Sequence, residues 1–100
     1  MFASVQKYTA ATTHVDRLLK SRNEIEETVN QVPGFLSIYL LKIPEGMTIL
    51  TLCKSKESAE ESARSLLTLI KDRALELAKT PPQISTGEVA FQVSALEAHI

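Results

Sequence analysis

The chain has 100 residues, 44% hydrophobic and 23% charged, with a formal net charge of −1. That is enough to bury a core as one domain over residues 1–100, and it excludes an intrinsically disordered chain. No basic block occurs, which argues against nucleic acid or an anionic membrane surface as partner, since both are recognised through clustered cations.

Cys53 is the single cysteine, so no internal disulfide can form, as expected in a reducing compartment. Residues Met1 to Lys7 carry no charged segment followed by an apolar run, unlike a secretory leader. No stretch approaches the ~20 apolar residues that span a bilayer. The expected location is cytoplasmic.

The segment Phe2 to Ala10, rich in Phe2, Val5, Tyr8 and Thr9, predicts a first strand. Thr13 with Asp16 resembles a capping box opening a helix that carries Val15, Leu18, Leu19, Ile25, Val29 and Val32 at helical spacing. Pro33-Gly34 ends it. Phe35 to Lys42 predicts a second strand, Pro44-Glu45-Gly46 a turn, and Thr48 to Lys54 a third strand. Setting Ile43 opposite Met47 in this hairpin pairs Leu40 with Leu50 and Ile38 with Leu52, and puts Leu41, Tyr39 and Ser37 opposite Ile49, Thr51 and Cys53. Ser55 is a good N-cap for a second helix running to Lys79, with a break expected near Lys71 to Arg73. After Pro81-Pro82, Glu88 to Ser94 predicts the last strand, with Val89, Phe91 and Val93 on one face.

The order βαββαβ predicts an α+β, ferredoxin-like fold, a four-stranded antiparallel sheet with two helices on one face. Val5, Ile38, Leu40, Leu50, Leu52, Val89 and Phe91 are expected under the helices. Gln6, Tyr8, Phe35, Ser37, Tyr39, Leu41, Ile49, Thr51, Cys53 and Gln92 are expected on the opposite face. Two helices blanket one side only, so the second face, apolar at Phe35, Leu41 and Ile49, calls for a cover, and the simplest is a second copy of the chain.

Pro33-Gly34-Phe35, the hairpin with Gly46-Met47-Thr48-Ile49-Leu50-Thr51-Leu52, the helix start from Ser55 to Arg64, and Ser85-Thr86-Gly87-Glu88-Val89 resemble the antibiotic biosynthesis monooxygenase-like family. The resemblance covers nearly the whole chain and implies a dimeric α+β barrel of two sheets packed face to face. The family includes cofactor-independent oxygenases of aromatic polyketides and haem-degrading enzymes. Haem-degrading members use an Asn, a Trp and a His around the ligand. This chain has no tryptophan, and its histidines, His14 and His99, stand at a helix start and near the C-terminus. Gln6 alone falls near the family's first-strand amide. No cofactor and no metal site is expected.

The candidate pocket is the inter-sheet set Gln6, Tyr8, Ser37, Tyr39, Thr51 and Cys53. Buried polar groups need hydrogen-bond partners, and these would either bond across a dimer or face a small aromatic ligand, with the tyrosines orienting it. Cys53 reads as a small buried hydrophobe or as a nucleophile, and His14 as an exposed first-turn residue or as a base. No catalytic residue is assigned. The resemblance implies oxidation of an aromatic or quinone-like substrate by O2. The alternative is a non-catalytic dimeric ligand-binding or dimerisation module.

Overall fold

The computed structural model describes residues 1–95. Strand β1 (Phe2–Thr9) leads into helices α1 (Thr12–Leu19) and α2 (Arg22–Asn30), the hairpin β2 (Phe35–Ile43) and β3 (Gly46–Cys53), helices α3 (Lys56–Arg73) and α4 (Leu75–Ala78), and strand β4 (Gln83–Glu88). The sheet is antiparallel, in the order β2-β3-β1-β4. This is the expected α+β arrangement, with the helices on one face. Among the described residues, no helix is long and apolar enough to cross a membrane.

The first predicted helix is broken at Lys20–Ser21. Lys20 to Glu24 is a polar run, so the stripe of Val15, Leu18, Ile25 and Val29 has an arginine where its next apolar anchor would fall. The chain re-enters a helix at Ser21, whose carbonyl accepts from the amides of Glu24 and Ile25. No side-chain cap opens α1, so Thr13 does not act as one. Ser55 does cap α3, accepting from the Ser58 amide at 3.1 Å. The long helix breaks at Ala74, whose backbone leaves the helical region.

The hairpin register differs from the expected one by a residue. Ile43 faces Gly46, so Leu40 lies opposite Ile49, Ile38 opposite Thr51 and Tyr39 opposite Leu50. The connection is only Pro44-Glu45, and Gly46, at φ +149°, starts the strand. An irregularity between Phe35 and Ser37 returns Phe35 to the side opposite Cys53.

That slip exchanges the faces of β1 and β3. Met47, Ile49, Thr51 and Cys53 are buried beneath the helices with Ser4, Gln6 and Tyr8, and Phe35 packs against the same core. Val5, Leu50 and Leu52 lie on the open face instead, beside Ser37, Tyr39 and Leu41. The core is completed by Val15, Leu18, Val29, Leu66, Ile70 and Leu77. Among the expected helix-side residues, Ile38 and Leu40 pack there. Val89 and Phe91 are outside the sheet, because β4 is 83–88, where Ile84, Ser85 and Thr86 pair with Gln6, Val5 and Ser4. Gln92 also lies beyond the sheet.

Candidate ligand-binding site

A cleft of about 460 Å³ opens between α1–α2 and β2 on the helix side of the sheet. Its wall is apolar: Leu19, Ile25 and Val29 from the helices, and Phe35, Ile38 and Leu40 from the strand. Arg22, Glu26 and Asn30, one helical turn apart on α2, complete the lining with polar groups. The break at Lys20–Ser21 separates α2 from α1, and the irregularity between Phe35 and Ser37 turns Phe35 toward the helices. Both local departures from regular structure therefore shape this cleft. Among the described residues Arg22 forms no ion pair, which leaves its planar fork of N–H donors available to an anionic or carbonyl oxygen. A mainly apolar cavity of this size with a few polar groups has the character of a small-molecule site.

Two other depressions are chemically different. One, between α3 and the β4 edge, is lined by Lys56, Glu60 and Arg64 as well as Leu67 and Ile84. The other lies on the surface of α2 among Asn23, Glu26 and Glu27. Polar or charged side chains make up four of the seven lining residues of the first and all five of the second.

The six residues expected to form an inter-sheet pocket are divided between the two faces of the sheet. Ser37 and Tyr39 are on the open face, Tyr39 at 55% exposure. Gln6, Tyr8, Thr51 and Cys53 are buried under the helices. There the polar groups serve one another. The Tyr8 hydroxyl donates to Gln6 Oε1 at 2.9 Å, and Gln6 Nε2 donates to the Ala63 carbonyl of α3 at 2.8 Å. Cys53 Sγ lies 3.4 Å from Ser62 Oγ. This chain of contacts ties β1 and β3 to α3, and it is why a mixed polar set, rather than the aliphatic set, faces inward.

Burial pushes the Tyr8 phenol well above its ordinary range. The unfolded chain loses this proton near pH ~10 while the folded chain keeps it, so stability falls as pH rises past that point, by up to ~1.4 kcal/mol per pH unit. Urea denaturation between pH 9 and 11 should show this decline in the wild type and a flatter profile in Tyr8→Phe. Equal slopes for the two proteins would contradict it.

His14 is half-buried rather than exposed, and among the described residues its buried Nδ1 has no hydrogen-bond partner, nor does Ser4 Oγ. Neither atom belongs to the cleft lining. His99 and the tail residues 96–100 lie outside the described residues. The cleft residues that sequence reasoning missed carry one usable signal, the stripe Arg22, Glu26 and Asn30 running beside the apolar Leu19, Ile25 and Val29. The lining has no imidazole, thiolate or phenolate to ligate a haem iron, so its residues do not fit that group.

No family model and no curated protein matches this sequence. Solved structures do. A variant of the haem-degrading protein MhuD of Mycobacterium tuberculosis, with two manganese protoporphyrin IX bound per active site, superposes with a TM-score of 0.72 at 18% identity, over 95% of this chain and 100% of that one. The ActVA-Orf6 monooxygenase of Streptomyces coelicolor, in complex with nanaomycin D, gives 0.64 at 16% identity, over 94% and 90% of the two chains. A candidate antibiotic biosynthesis monooxygenase of Deinococcus radiodurans gives 0.64 at 15% identity, over 96% and 99%. Identities this low speak to the fold, and they do so over nearly the full length of every chain. The chain thus has the antibiotic biosynthesis monooxygenase-like fold.

Proposed function

We propose that this protein is a homodimer that binds a flat aromatic or quinone-like molecule in the α1–α2/β2 cleft of each protomer and oxygenates it directly with O2. The observation that carries the reading is the apolar wall of Phe35, Ile38 and Leu40 beneath Leu19, Ile25 and Val29, with Arg22 among the polar residues of the lining. Support for oxygenation comes from neighbours of the same fold, one a monooxygenase solved with nanaomycin D. In such a reaction an ionised substrate transfers electrons to O2, a C–O bond forms, and a ring CH2 leaves as C=O with release of water. The wall excludes water from the substrate, and Arg22 favours its anion. No bound cofactor is part of the proposal. A cytoplasmic location belongs to it, supported by the lone thiol Cys53.

Dimerisation is proposed through the open face of the sheet. Val5, Leu50 and Leu52 lie there beside Tyr39 and Leu41, which are 55% and 51% exposed. An apolar sheet face that no helix covers is satisfied by its own twofold copy.

A second reading, binding without turnover, is favoured by the absence of histidine, cysteine and tyrosine from the cleft lining, which leaves Glu26 as its one carboxylate. Calorimetric titration with 1,4-naphthoquinone, followed by O2 uptake with an anthrone, separates the readings. Saturable binding, weakened about tenfold in Arg22→Leu (~1.4 kcal/mol), is expected together with O2 uptake above the protein-free rate. Binding without uptake selects the second reading. Absence of saturable binding overturns both.

A further inference from the structure

Arg22, Glu26 and Asn30 are the only polar side chains lining the α1–α2/β2 cleft. An arginine stays protonated in a protein and an amide does not titrate, so Glu26 is the one lining group that can take up and return a proton. Neighbouring charges on the same helices are committed elsewhere. Asp16 holds Lys42 of β2 at 2.6 Å, and Glu24 holds Arg73 of α3 at 2.5 Å. Among the described residues neither Arg22 nor Glu26 enters an ion pair, although they stand one helical turn apart. Their order accounts for this, because an acid four residues before a base pairs well on a helix and the reverse order pairs less well. Both side chains are exposed while lining the cleft, and so both are free to meet a ligand.

We propose that the cleft is a keto–enol tautomerase site that works without O2, in which Glu26 moves a carbon proton and Arg22 binds the enolate oxygen of an aromatic ketone. The activity rests on the ligand-binding reading above and goes beyond it, since nothing is oxidised. A guanidinium and a carboxylate whose Cβ atoms are about 5–6 Å apart, beside an apolar wall, suit the two reacting ends of such a ketone. Its oxygen gathers negative charge as a proton leaves the ring CH2, so the oxygen needs a donor and the CH2 a base. Glu26 takes that proton. The C–H electron pair becomes a ring π bond, and the carbonyl π pair moves to the oxygen, held there by Arg22. Protonation of the oxygen by water gives the enol, and Glu26 passes its proton back to solvent. The reverse path returns a proton from Glu26 to carbon and restores the ketone.

The test is hydrogen exchange at carbon, measured anaerobically on the full chain. Anthrone is incubated with the protein in deuterated buffer without O2, and the loss of its CH2 proton signal is followed by NMR. Exchange should exceed the protein-free rate, saturate with anthrone, and fall at least about a hundredfold in Glu26→Gln. Calorimetric affinity of that variant for 1,4-naphthoquinone, which has no CH2 to ionise, should stay within about twofold of wild type, with an unchanged circular dichroism spectrum. Naphthoquinone binding without exchange above the protein-free rate overturns the tautomerase and leaves the binding reading standing. O2 uptake without anaerobic exchange does the same. Exchange that survives in Glu26→Gln, or a variant that loses naphthoquinone affinity along with it, overturns the proton-transfer role of Glu26. Absence of saturable naphthoquinone binding to the wild type overturns the binding reading, and the tautomerase with it.

Discussion

Gly46→Ala should cost about 3 kcal/mol or more of folding stability, a loss in the range reserved for strained or clashing backbone positions. Gly46 is flanked on both sides, by Thr9 of β1 and Ile43 of β2. Its φ of +149° is one that residues with side chains rarely adopt, and a Cβ built there would lie 2.1 Å from the Tyr8 carbonyl oxygen and 2.9 Å from the Ala10 amide nitrogen. Both obstacles are backbone, so no rotamer change relieves them. The end of the β1–β3 ladder must open, and with it the bond from the Ala10 amide to the Glu45 carbonyl, 3.0 Å long. In a chain of this size each kcal/mol lowers the melting temperature by about 4–8 °C, so a fall of at least ~12 °C is expected by calorimetry. Gly87→Ala is the control, since a Cβ there meets nothing within 4 Å, and its effect should stay within ~0.5 kcal/mol. A Gly46→Ala protein as stable as the wild type would show that the hairpin register is wrong.

The second large effect lies beneath the helices. Gln6→Leu should destabilise by roughly 2–3 kcal/mol, because the buried Tyr8 hydroxyl loses its acceptor and an unsatisfied buried donor costs about 1–3 kcal/mol. The Ala63 carbonyl, inside α3, retains its helical partner, so the penalty falls mainly on Tyr8. The double variant Gln6→Leu/Tyr8→Phe removes donor and acceptor together. It should be more stable than Gln6→Leu alone, giving a coupling of about 1–2 kcal/mol in a double-mutant cycle by urea denaturation. Additive costs would contradict the hydrogen-bond chain from Tyr8 through Gln6 to α3.

The order of elements was legible because its signals are local. Pro33-Gly34, Pro44-Glu45-Gly46 and Pro81-Pro82 divide the chain, and the helical stripes and β-rich runs fill the intervals. The faces of the sheet were less legible. Alternation says which residues share a face, not which face the helices cover. The aliphatic set Val5, Leu50 and Leu52 reads as core, yet the helices cover the mixed set, because Gln6, Tyr8 and Cys53 find polar partners on β1 and α3. Those partners are distant in sequence, Gln6 and Ala63 being 57 residues apart, and no local pattern announces them. The observed hairpin register departs from the expected one for a related reason. A tight Pro44-Glu45 connection and a glycine pressed against the Tyr8 backbone set the register, and matching aliphatic pairs across the strands does not detect that approach. The cleft depends on two departures from regular structure, the break at Ser21 and the shift between Phe35 and Ser37. Periodicity smooths over both, so by itself it sets Phe35 on the opposite face and marks neither Arg22 nor Asn30.

The proposed ligand enters on the helix side, between α1–α2 and β2. The most direct test of this is amide shift mapping of ¹⁵N-labelled protein titrated with 1,4-naphthoquinone. The largest perturbations are expected to cluster at Leu19 to Asn30 and Phe35 to Leu40, saturating together with one dissociation constant. Perturbations centred instead on α3 and β4, around Arg64 and Ile84, or spread over the sheet without saturating, would contradict it.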